Sequence, residues 1–158
     1  MGKEYTGKVV LVGATNAGKT SIVERFVHGQ MHPCQPSTQP SFVKKKVELK
    51  NSDVHLEIWD TAGQERYHSL SPLFYREADV GIVVYDSTEQ QSFAKANDWA
   101  RELTTELDGN IDIVLVGNKI DMQEAKKIKL SEAVELAKEM NAKVIETSAA
   151  TGDRKSVV

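Results

Sequence analysis

The strongest chemical signal in the sequence is a glycine-bounded loop that ends in lysine and threonine. Residues 13–20 read Gly-Ala-Thr-Asn-Ala-Gly-Lys-Thr, which matches the pattern G-x-x-x-x-G-K-[ST] directly after an apolar run. Glycines at both ends let such a loop curl until successive backbone N–H groups converge on phosphate oxygens. Because glycine makes up only about 7% of residues, a chance match of four fixed positions is rare in a chain of this size. The pattern therefore predicts a phosphate site.

Two residues of this loop have separate predicted roles. A helix is expected to begin at Lys19, so that its positive end also faces the anion. Lys19 would reach the β- and γ-phosphates, and the hydroxyl of Thr20 would ligate Mg²⁺. The predicted nucleotide contacts in this part of the chain are Gly13, Thr15, Asn16, Ala17, Gly18, Lys19, Thr20 and Ser21.

A second block, Ile58 to Glu65, closes the third predicted strand. A carboxylate at a strand end beside a phosphate loop suits a partner of Mg²⁺, usually through a water, and Asp60 is the candidate. Gly63 would let a backbone N–H approach the γ-phosphate. The Gln64 amide would orient an attacking water, because an amide can both accept and donate hydrogen bonds. The turn Asp-x-x-Gly is common by itself, so this interpretation depends on the phosphate loop before it.

A third block, Gly117-Asn118-Lys119-Ile120-Asp121, follows another apolar run. One edge of guanine carries an N1–H and an exocyclic amine, and a single carboxylate can accept from both. Adenine has no such pair of adjacent donors, so Asp121 would select guanine by about 1–3 kcal/mol or more. Asn118 and Lys119 would brace the loops and cover the ring of the base. Met122 is predicted as a further nucleotide contact. A plain polar loop explains any one of these residues but explains the combination poorly.

The elements around these blocks follow an α/β pattern, because short apolar runs alternate with longer segments of helical period. The predicted strands are Val9–Val12, a hairpin of Val47–Leu49 and Leu56–Ile58, Val80–Tyr85, Ile113–Val116 and Val144–Ile145. The predicted helices run from Lys19 to about His28, through residues 93–107 and through residues 133–140. No helix is predicted after Gly152, so we expect one sheet face to be partly uncovered and the stability to be marginal.

The bulk composition limits the class of protein. A chain of 158 residues fits one domain, residues 1–158, and its net charge of −3 argues against a general nucleic-acid binder. The sequence has no run of eighteen apolar residues, no secretory signal and a single cysteine, so the cytosol is the expected compartment. The run Lys44-Lys45-Lys46 is best explained as a solvated strand edge, with a phosphoinositide or effector site as the alternative.

With these blocks identified, the sequence closely resembles the Ras superfamily of small GTPases and, within it, the Rab family, especially the early-endosomal branch. The resemblance implies a P-loop fold with a mostly parallel six-stranded sheet, one antiparallel edge strand and helices on both faces. It also implies bound GDP or GTP, Mg²⁺ and slow hydrolysis that an activating protein accelerates. The residues that carry it are Gly13–Thr20, Trp59–Leu70, Phe74–Arg76, Val83–Asp86, Asn118–Asp121 and Glu146–Ala149.

The resemblance also assigns residues that spacing alone does not. Thr38 would be the switch threonine that ligates Mg²⁺ in the GTP state, and it would join Lys19 and Gln64 in catalysis. Residues near the ribose would be His32 and Pro33, and the loop over guanine would be Ser148, Ala149 and Ala150. An aromatic trio would present the switch state to effector, exchange and activating proteins; its members are Phe42, Trp59 and Phe74.

The sequence departs from the family pattern in three places. Residues 37–42, Ser-Thr-Gln-Pro-Ser-Phe, are one residue shorter than usual, which reverses strand alternation unless a bulge absorbs it. Ala150 replaces a lysine usual over the base. The final helix and the prenylated cysteines are absent, so membrane attachment would need a lipid anchor not visible in this chain.

We therefore expect a GTP-hydrolysing switch of vesicle or endosomal traffic, cytoplasmic and peripheral on membranes when lipid-anchored. One alternative is a catalytically weak or silent guanine-nucleotide scaffold, favoured by the altered first switch and opposed by Gln64. A second alternative is a P-loop nucleotide kinase or ATPase. The block from Asn118 to Asp121 argues against that alternative.

Overall fold

In the computed structural model the described residues are 2–14, 16–29, 41–61, 72–151 and 154–157. The strands are β1 (Lys3–Gly13), β2 (Ser41–Leu49), β3 (Ser52–Asp60), β4 (Val80–Asp86), β5 (Asp112–Asn118), β6 (Lys143–Thr147) and β7 (Arg154–Val157). The α-helices are α1 (Lys19–His28), α2 (Pro72–Tyr75), α3 (Gln90–Glu106) and α4 (Leu130–Glu139), and residues 123–125 form a 3₁₀ turn.

The strands form one sheet in the order β2-β3-β1-β4-β5-β6-β7. From β3 to β6 all neighbours are parallel, and β2 runs antiparallel to β3 through a tight hairpin at residues 50–51. The predicted α/β architecture, a mostly parallel sheet with an antiparallel edge strand, is confirmed. The structure adds β7 as a further strand, antiparallel to β6, at the opposite edge. Sequence periodicity did not indicate α2, the 3₁₀ turn or β7, because each spans four residues or fewer.

The second half of the inner strand β1, residues 9–13, is buried on both faces, as its continuous apolar run predicted. On one face Val10 and Val12, both fully buried, pack in a cluster with residues of α2, α3 and α4, among them Phe74, Trp99 and Ala133. On the other face Leu11 lies in a smaller cluster with residues of α1. The two faces therefore differ in how many helices cover them.

Part of the face under α1 is uncovered. Leu56, Ile82 and Val114 are only half-buried there, although they lie on inner strands of the sheet. A cavity of about 620 Å³ opens beside α1, and its lining includes Leu56, Ile82, Arg25 and Ala149. Among the described residues, this face of the sheet is therefore less completely buried than the face under α3 and α4.

The edge strand β2 carries the run Lys44-Lys45-Lys46. Lys46 lies 3.2 Å from Asp53 across the hairpin, and the Nζ of Lys44 lies 6.0 Å from the centre of the Phe42 ring. Pairing between β2 and β3 continues without a bulge from Ser41 to Leu49, which sets Phe42 directly opposite Trp59. The shortened segment before β2 therefore leaves the register of β2 itself regular. Among the described helices, none combines the length and the apolar character needed to cross a membrane.

Candidate functional site

The site lies where the carboxyl ends of the parallel strands meet at one edge of the sheet. There the chain places Gly13, Asp60, Asp86, Asn118 and Thr147, which end β1, β3, β4, β5 and β6. The four polar residues among them are buried, which polar groups tolerate only when they are hydrogen-bonded. Buried polar side chains at such strand ends are typical of ligand sites in open α/β sheets.

The glycines at the two ends of the loop, Gly13 and Gly18, have the backbone conformations that a curled loop needs. Gly13 and Gly18 have φ angles of 148° and 100°, which strongly disfavour other residues. Space is restricted too, because a Cβ on Gly13 would lie 2.2 Å from the carbonyl oxygen of Val84. The Lys19 side chain is buried, and its Nζ donates to the carbonyls of Gly13 at 2.8 Å and Ala14 at 3.0 Å. The ammonium group is thereby held against the loop.

The helix α1 begins at Lys19 with its positive end at this loop. Its N-cap, Gly18, supplies no side-chain acceptor, and no acidic residue lies in the first turn. A helix start without an acidic or capping side chain favours an external anion, because the helix dipole and backbone N–H groups stabilise negative charge there. Ser21, the residue after Thr20, is half-buried. Asn16 lies in a turn within the loop and has a positive φ of 66°.

Two of the predicted metal ligands contact each other. The Thr20 hydroxyl donates to Asp60 Oδ2 at 2.6 Å, and Asp60 is 1% exposed. Hydroxyl and carboxylate oxygens are the donors that Mg²⁺ prefers, so this pair fits that ion. Among the described residues no group of three His, Cys, Asp or Glu side chains could hold a metal unaided. Water and phosphate oxygens would therefore complete the coordination of a magnesium ion at this pair, as is usual for this ion.

Asn118 connects the phosphate loop to the loop after β6. Its Nδ2 donates to the carbonyl of Ala17 at 3.0 Å, and its Oδ1 accepts from the N–H of Ala149 at 3.1 Å. The side chain is 2% exposed, so both bonds lie in a protected environment. The predicted bracing of loops by Asn118 therefore has a defined geometry: one amide joins two segments that lie 132 positions apart (149 − 17).

Lys119 makes a second connection to the phosphate loop. Its Nζ donates to the carbonyl of Asn16 at 2.8 Å and to Asp86 Oδ2 at 2.7 Å. Burial raises the pKa of Asp86, but hydrogen bonds from Lys119 and Thr88 outweigh it, so that the pKa lies below its ordinary value. Asp86 therefore stays ionised and holds the lysine in position. Lys119 has a positive φ of 65°, which turns the chain sharply between β5 and Asp121.

Asp121, the predicted base-reading carboxylate, lies at the rim of the site with an exposed side chain. The buried Ser148 hydroxyl donates to its Oδ1 at 2.6 Å and accepts from the N–H of Thr151 at 3.1 Å. Ser148 thus orients the carboxylate that would accept from guanine. Met122 follows with a side chain that is 47% exposed.

Several predicted site residues lie outside the described part of the chain. They are Thr15, His32, Pro33, Thr38, Gly63 and Gln64, and their roles stay predictions. The described residues bring together the phosphate loop, Thr20, Asp60, the strand end at Asn118 and the loop at Ser148 and Ala149. Ala150 is exposed, and its carbonyl accepts from Arg25 Nη2 at 2.7 Å.

Two residues that shape the site were assigned no role in it from the sequence. Asp86 ends β4 beside β5, and its position at a strand end was a usable signal because neighbouring parallel strands end at the same edge. Arg25 has no comparable signal: it lies inside α1 and contacts residues 124 and 125 positions away. Only the packing of α1 against the loop after β6 brings it to the site.

The predicted aromatic trio forms one continuous row. Trp59 lies between the other two rings, with centroid distances of 4.8 Å to Phe42 and 6.1 Å to Phe74. Exposure differs along the row, because Phe42 is 44% exposed, Trp59 is half-buried and Phe74 is 8% exposed. In this structure Phe74 belongs to the core, and the accessible part of the row is Phe42 together with the half-buried Trp59.

Comparison with known protein families agrees with this arrangement. A model of the Ras family matches residues 8–157, which include every described element of the site.

Proposed function

The chain belongs to the Ras family of small GTPases, and from this premise we propose that it binds GTP, hydrolyses it to GDP and signals the difference to partner proteins. One observation supports this proposal above the others. Asn118 and Lys119, beside the base-reading Asp121, hydrogen-bond directly to Ala17 and Asn16 of the phosphate loop. A single ligand with a base at one end and phosphates at the other fits two loops that are joined in this way.

The proposed reaction is phosphoryl transfer to water. A water oxygen bonds to the γ-phosphorus while the bond to the β,γ-bridging oxygen breaks, which yields GDP and inorganic phosphate. Lys19 and the backbone N–H groups of the loop offset the charge on the phosphates. Gln64 is proposed to orient the water, and a partner protein can supply an arginine. Mg²⁺, when held by Thr20, Asp60 and the proposed Thr38, supplies positive charge beside the phosphate oxygens.

The proposed switch consists of two segments that would follow the γ-phosphate. Thr38 and Gly63 would contact it in the GTP state and lose that contact after hydrolysis. Both segments adjoin described elements, because one leads into β2 at Ser41, directly before Phe42, and the other leaves β3 after Asp60. The exposed Phe42 and the half-buried Trp59 are therefore proposed as the surface that partners read.

The finer assignment is a Rab-type protein of vesicle or endosomal traffic. It is supported by the sequence resemblance, in particular by Trp59–Leu70 and the aromatic row. We further propose a cytoplasmic protein that attaches peripherally to such membranes when lipid-anchored.

Base selection gives the first test. The nucleotide that stays bound through purification is identified by mass spectrometry, and we expect GDP or GTP. Asp121→Asn removes an acceptor for guanine, so the variant should lose its preference for guanosine over adenosine nucleotides in competition with a fluorescent analogue. Asp98→Asn, an exposed aspartate of α3, is the matched control. Unchanged GTP binding by Asp121→Asn would refute the assignment of the base site.

Hydrolysis gives the second test, and it separates a switch from a silent scaffold. Single-turnover cleavage of bound GTP should be slow in the isolated protein and faster with a suitable activating protein. Gln64→Ala should lower the rate constant about 100-fold or more while GTP affinity is kept, as expected for a group that acts in general acid–base positioning. A wild-type protein that binds GTP tightly but never cleaves it would favour the scaffold.

A further inference from the structure

Arg25, in the last turn of α1, donates three side-chain hydrogen bonds to main-chain carbonyls. Its Nε donates to Ala149 at 2.8 Å, its Nη2 to Ala150 at 2.7 Å and its Nη1 to Gly29 at 3.1 Å. The Gly29 contact is an ordinary helix-end interaction, because a basic residue near a helix C-terminus offsets the free carbonyls. The other two contacts reach a loop more than a hundred positions away and need a different explanation.

The loop that Arg25 holds is the one that faces the proposed guanine site. Ala149 is fixed on both sides, because its N–H donates to Asn118 and its carbonyl accepts from Arg25. Alanine side chains carry no polar group, so residues 149 and 150 can be held only through their main chain. A planar guanidinium suits this task, since its fork of N–H donors can hold two successive carbonyls at once.

The two hydrogen bonds from Arg25 to Ala149 and Ala150 also affect Asp121, the carboxylate that would recognise guanine. Ser148, directly before Ala149, donates to Asp121 at 2.6 Å and is fully buried. A shift of residues 149 and 150 would move Ser148 and release the orientation of Asp121. Loss of the fork therefore changes the geometry at the base edge, whereas Lys19 and Thr20 at the phosphate end keep their contacts.

We propose that Arg25 is a positioning residue for guanine, whose guanidinium fixes the loop 148–151 and thereby sets guanine selectivity and the residence time of the nucleotide. This inference rests on the proposed function, since it assumes that the site binds guanine nucleotide. Arg25 acts through Ser148 and Asp121 and does not touch the base itself.

The experiment compares Arg25→Met with wild-type protein in three measurements: GDP release, binding of guanosine against inosine diphosphate, and thermal unfolding. Inosine lacks the exocyclic amine, so the ratio of the two affinities reports how well Asp121 meets that amine. We expect Arg25→Met to release GDP about tenfold faster, the size expected from the loss of a charged hydrogen bond, and to bind the two nucleotides more equally. Arg101→Met, an exposed arginine on α3, is the control and should match wild type.

A second variant separates positioning from plain stabilisation. Arg25→Lys keeps the positive charge at the end of α1 but lacks the planar fork. Arg25→Lys should unfold near the wild-type temperature and still discriminate less between guanosine and inosine diphosphate. If Arg25→Met does not fold, Arg25→Lys is compared with wild type in its place. A lower unfolding temperature with unchanged GDP release and unchanged discrimination in both variants would overturn the proposal. If wild-type protein binds no guanine nucleotide, the proposed function itself fails, and that outcome is recognised before any variant is made.

Discussion

Gly18 shows how a single residue is fixed by both backbone angle and space. Its φ is 100°, and a Cβ there would lie 2.1 Å from Asn118 Nδ2, the atom that holds the carbonyl of Ala17. The phosphate loop and the loop at Asn118 therefore approach each other too closely for any side chain. Gly18 is therefore needed for the close contact with Asn118 as well as for the curvature of the loop that the sequence indicated.

Gly18→Ala should consequently destabilise the fold and abolish nucleotide binding. The matched control is Gly109→Ala, where φ is 77° but no atom lies within 4 Å of the added Cβ. That control carries only backbone strain, about 1–2 kcal/mol, and should bind nucleotide normally. Urea unfolding and titration with a fluorescent GDP analogue measure both effects. Equal losses of binding in the two variants would show that the contact with Asn118 is unimportant.

Asp86 gives a prediction about pH. Hydrogen bonds from Lys119 and Thr88 keep its pKa in the folded protein below the ordinary value, despite the opposing effect of burial. A carboxyl whose pKa is depressed by folding contributes stability above its unfolded pKa, and that contribution is lost as pH falls through the folded pKa. Wild-type stability should therefore drop as pH falls below about 4.

The Asp86→Asn variant isolates this contribution. Its urea midpoint should be lower than that of wild type at pH 7, and the difference should shrink as the pH falls to about 3. Asp98→Asn, on the exposed face of α3, serves as the control and should follow the wild-type curve. A constant difference between wild type and Asp86→Asn over this range would contradict the assigned role of the ion pair with Lys119.

At the scale of elements, Lys8 joins β1 to the neighbouring strand β3 and to the turn that follows α2. Its Nζ donates to the carbonyl of Arg76 at 2.7 Å and lies 4.8 Å from the centre of the Trp59 ring. Partial burial lowers the pKa of Lys8, although Glu57 and Glu77 oppose the shift. The contact with Trp59 is a cation–π interaction, which fixes the ring that separates Phe42 from the core.

Lys8→Met should loosen Trp59 and cost about 1 kcal/mol of stability. The chain has two tryptophans, so a Trp99→Phe background leaves Trp59 as the only indole reporter. We expect the Trp59 emission to move to longer wavelength and binding of any partner that reads the aromatic row to weaken. Lys50→Met, in the exposed hairpin turn, controls for the lost charge. Emission identical to that of this control would refute the packing role.

At the scale of the whole molecule, the sheet is covered unequally. The face with α3 and α4 carries the larger buried cluster, whereas the face with α1 leaves Leu56, Ile82 and Val114 half-buried beside a cavity of about 620 Å³. Incomplete burial lowers the hydrophobic contribution to stability. A nucleotide that binds only the folded state should therefore contribute a large share of the stability.

Added GDP should raise the unfolding temperature of nucleotide-free protein. At a concentration of 100 times Kd the gain is about 2.7 kcal/mol, which corresponds to roughly 5–10 °C for a domain of this size. ATP at the same concentration should produce a much smaller shift. Differential scanning fluorimetry measures both, and equal shifts with GDP and ATP would argue against guanine selection.

The sequence by itself determined the local chemistry and the order of the elements. The phosphate loop with Thr20, the strand end at Asp60 and the run from Asn118 to Asp121 were recognisable because each is a short segment with characteristic residue types and spacing. The long helices and buried strands were predictable for the same reason, since their period is local. The four-residue elements α2 and β7 were not, because a period cannot be recognised in so few residues.

Only the tertiary structure decided which distant segments meet. Asn118 bonds to Ala17 and Arg25 bonds to Ala149 across 101 and 124 positions, and no local pattern encodes such pairs. The same holds for the aromatic row, where three residues of similar chemistry end up exposed, half-buried and buried. Side-chain burial and long-range hydrogen bonds depend on how helices and strands pack in space, and that packing is a property of the whole chain.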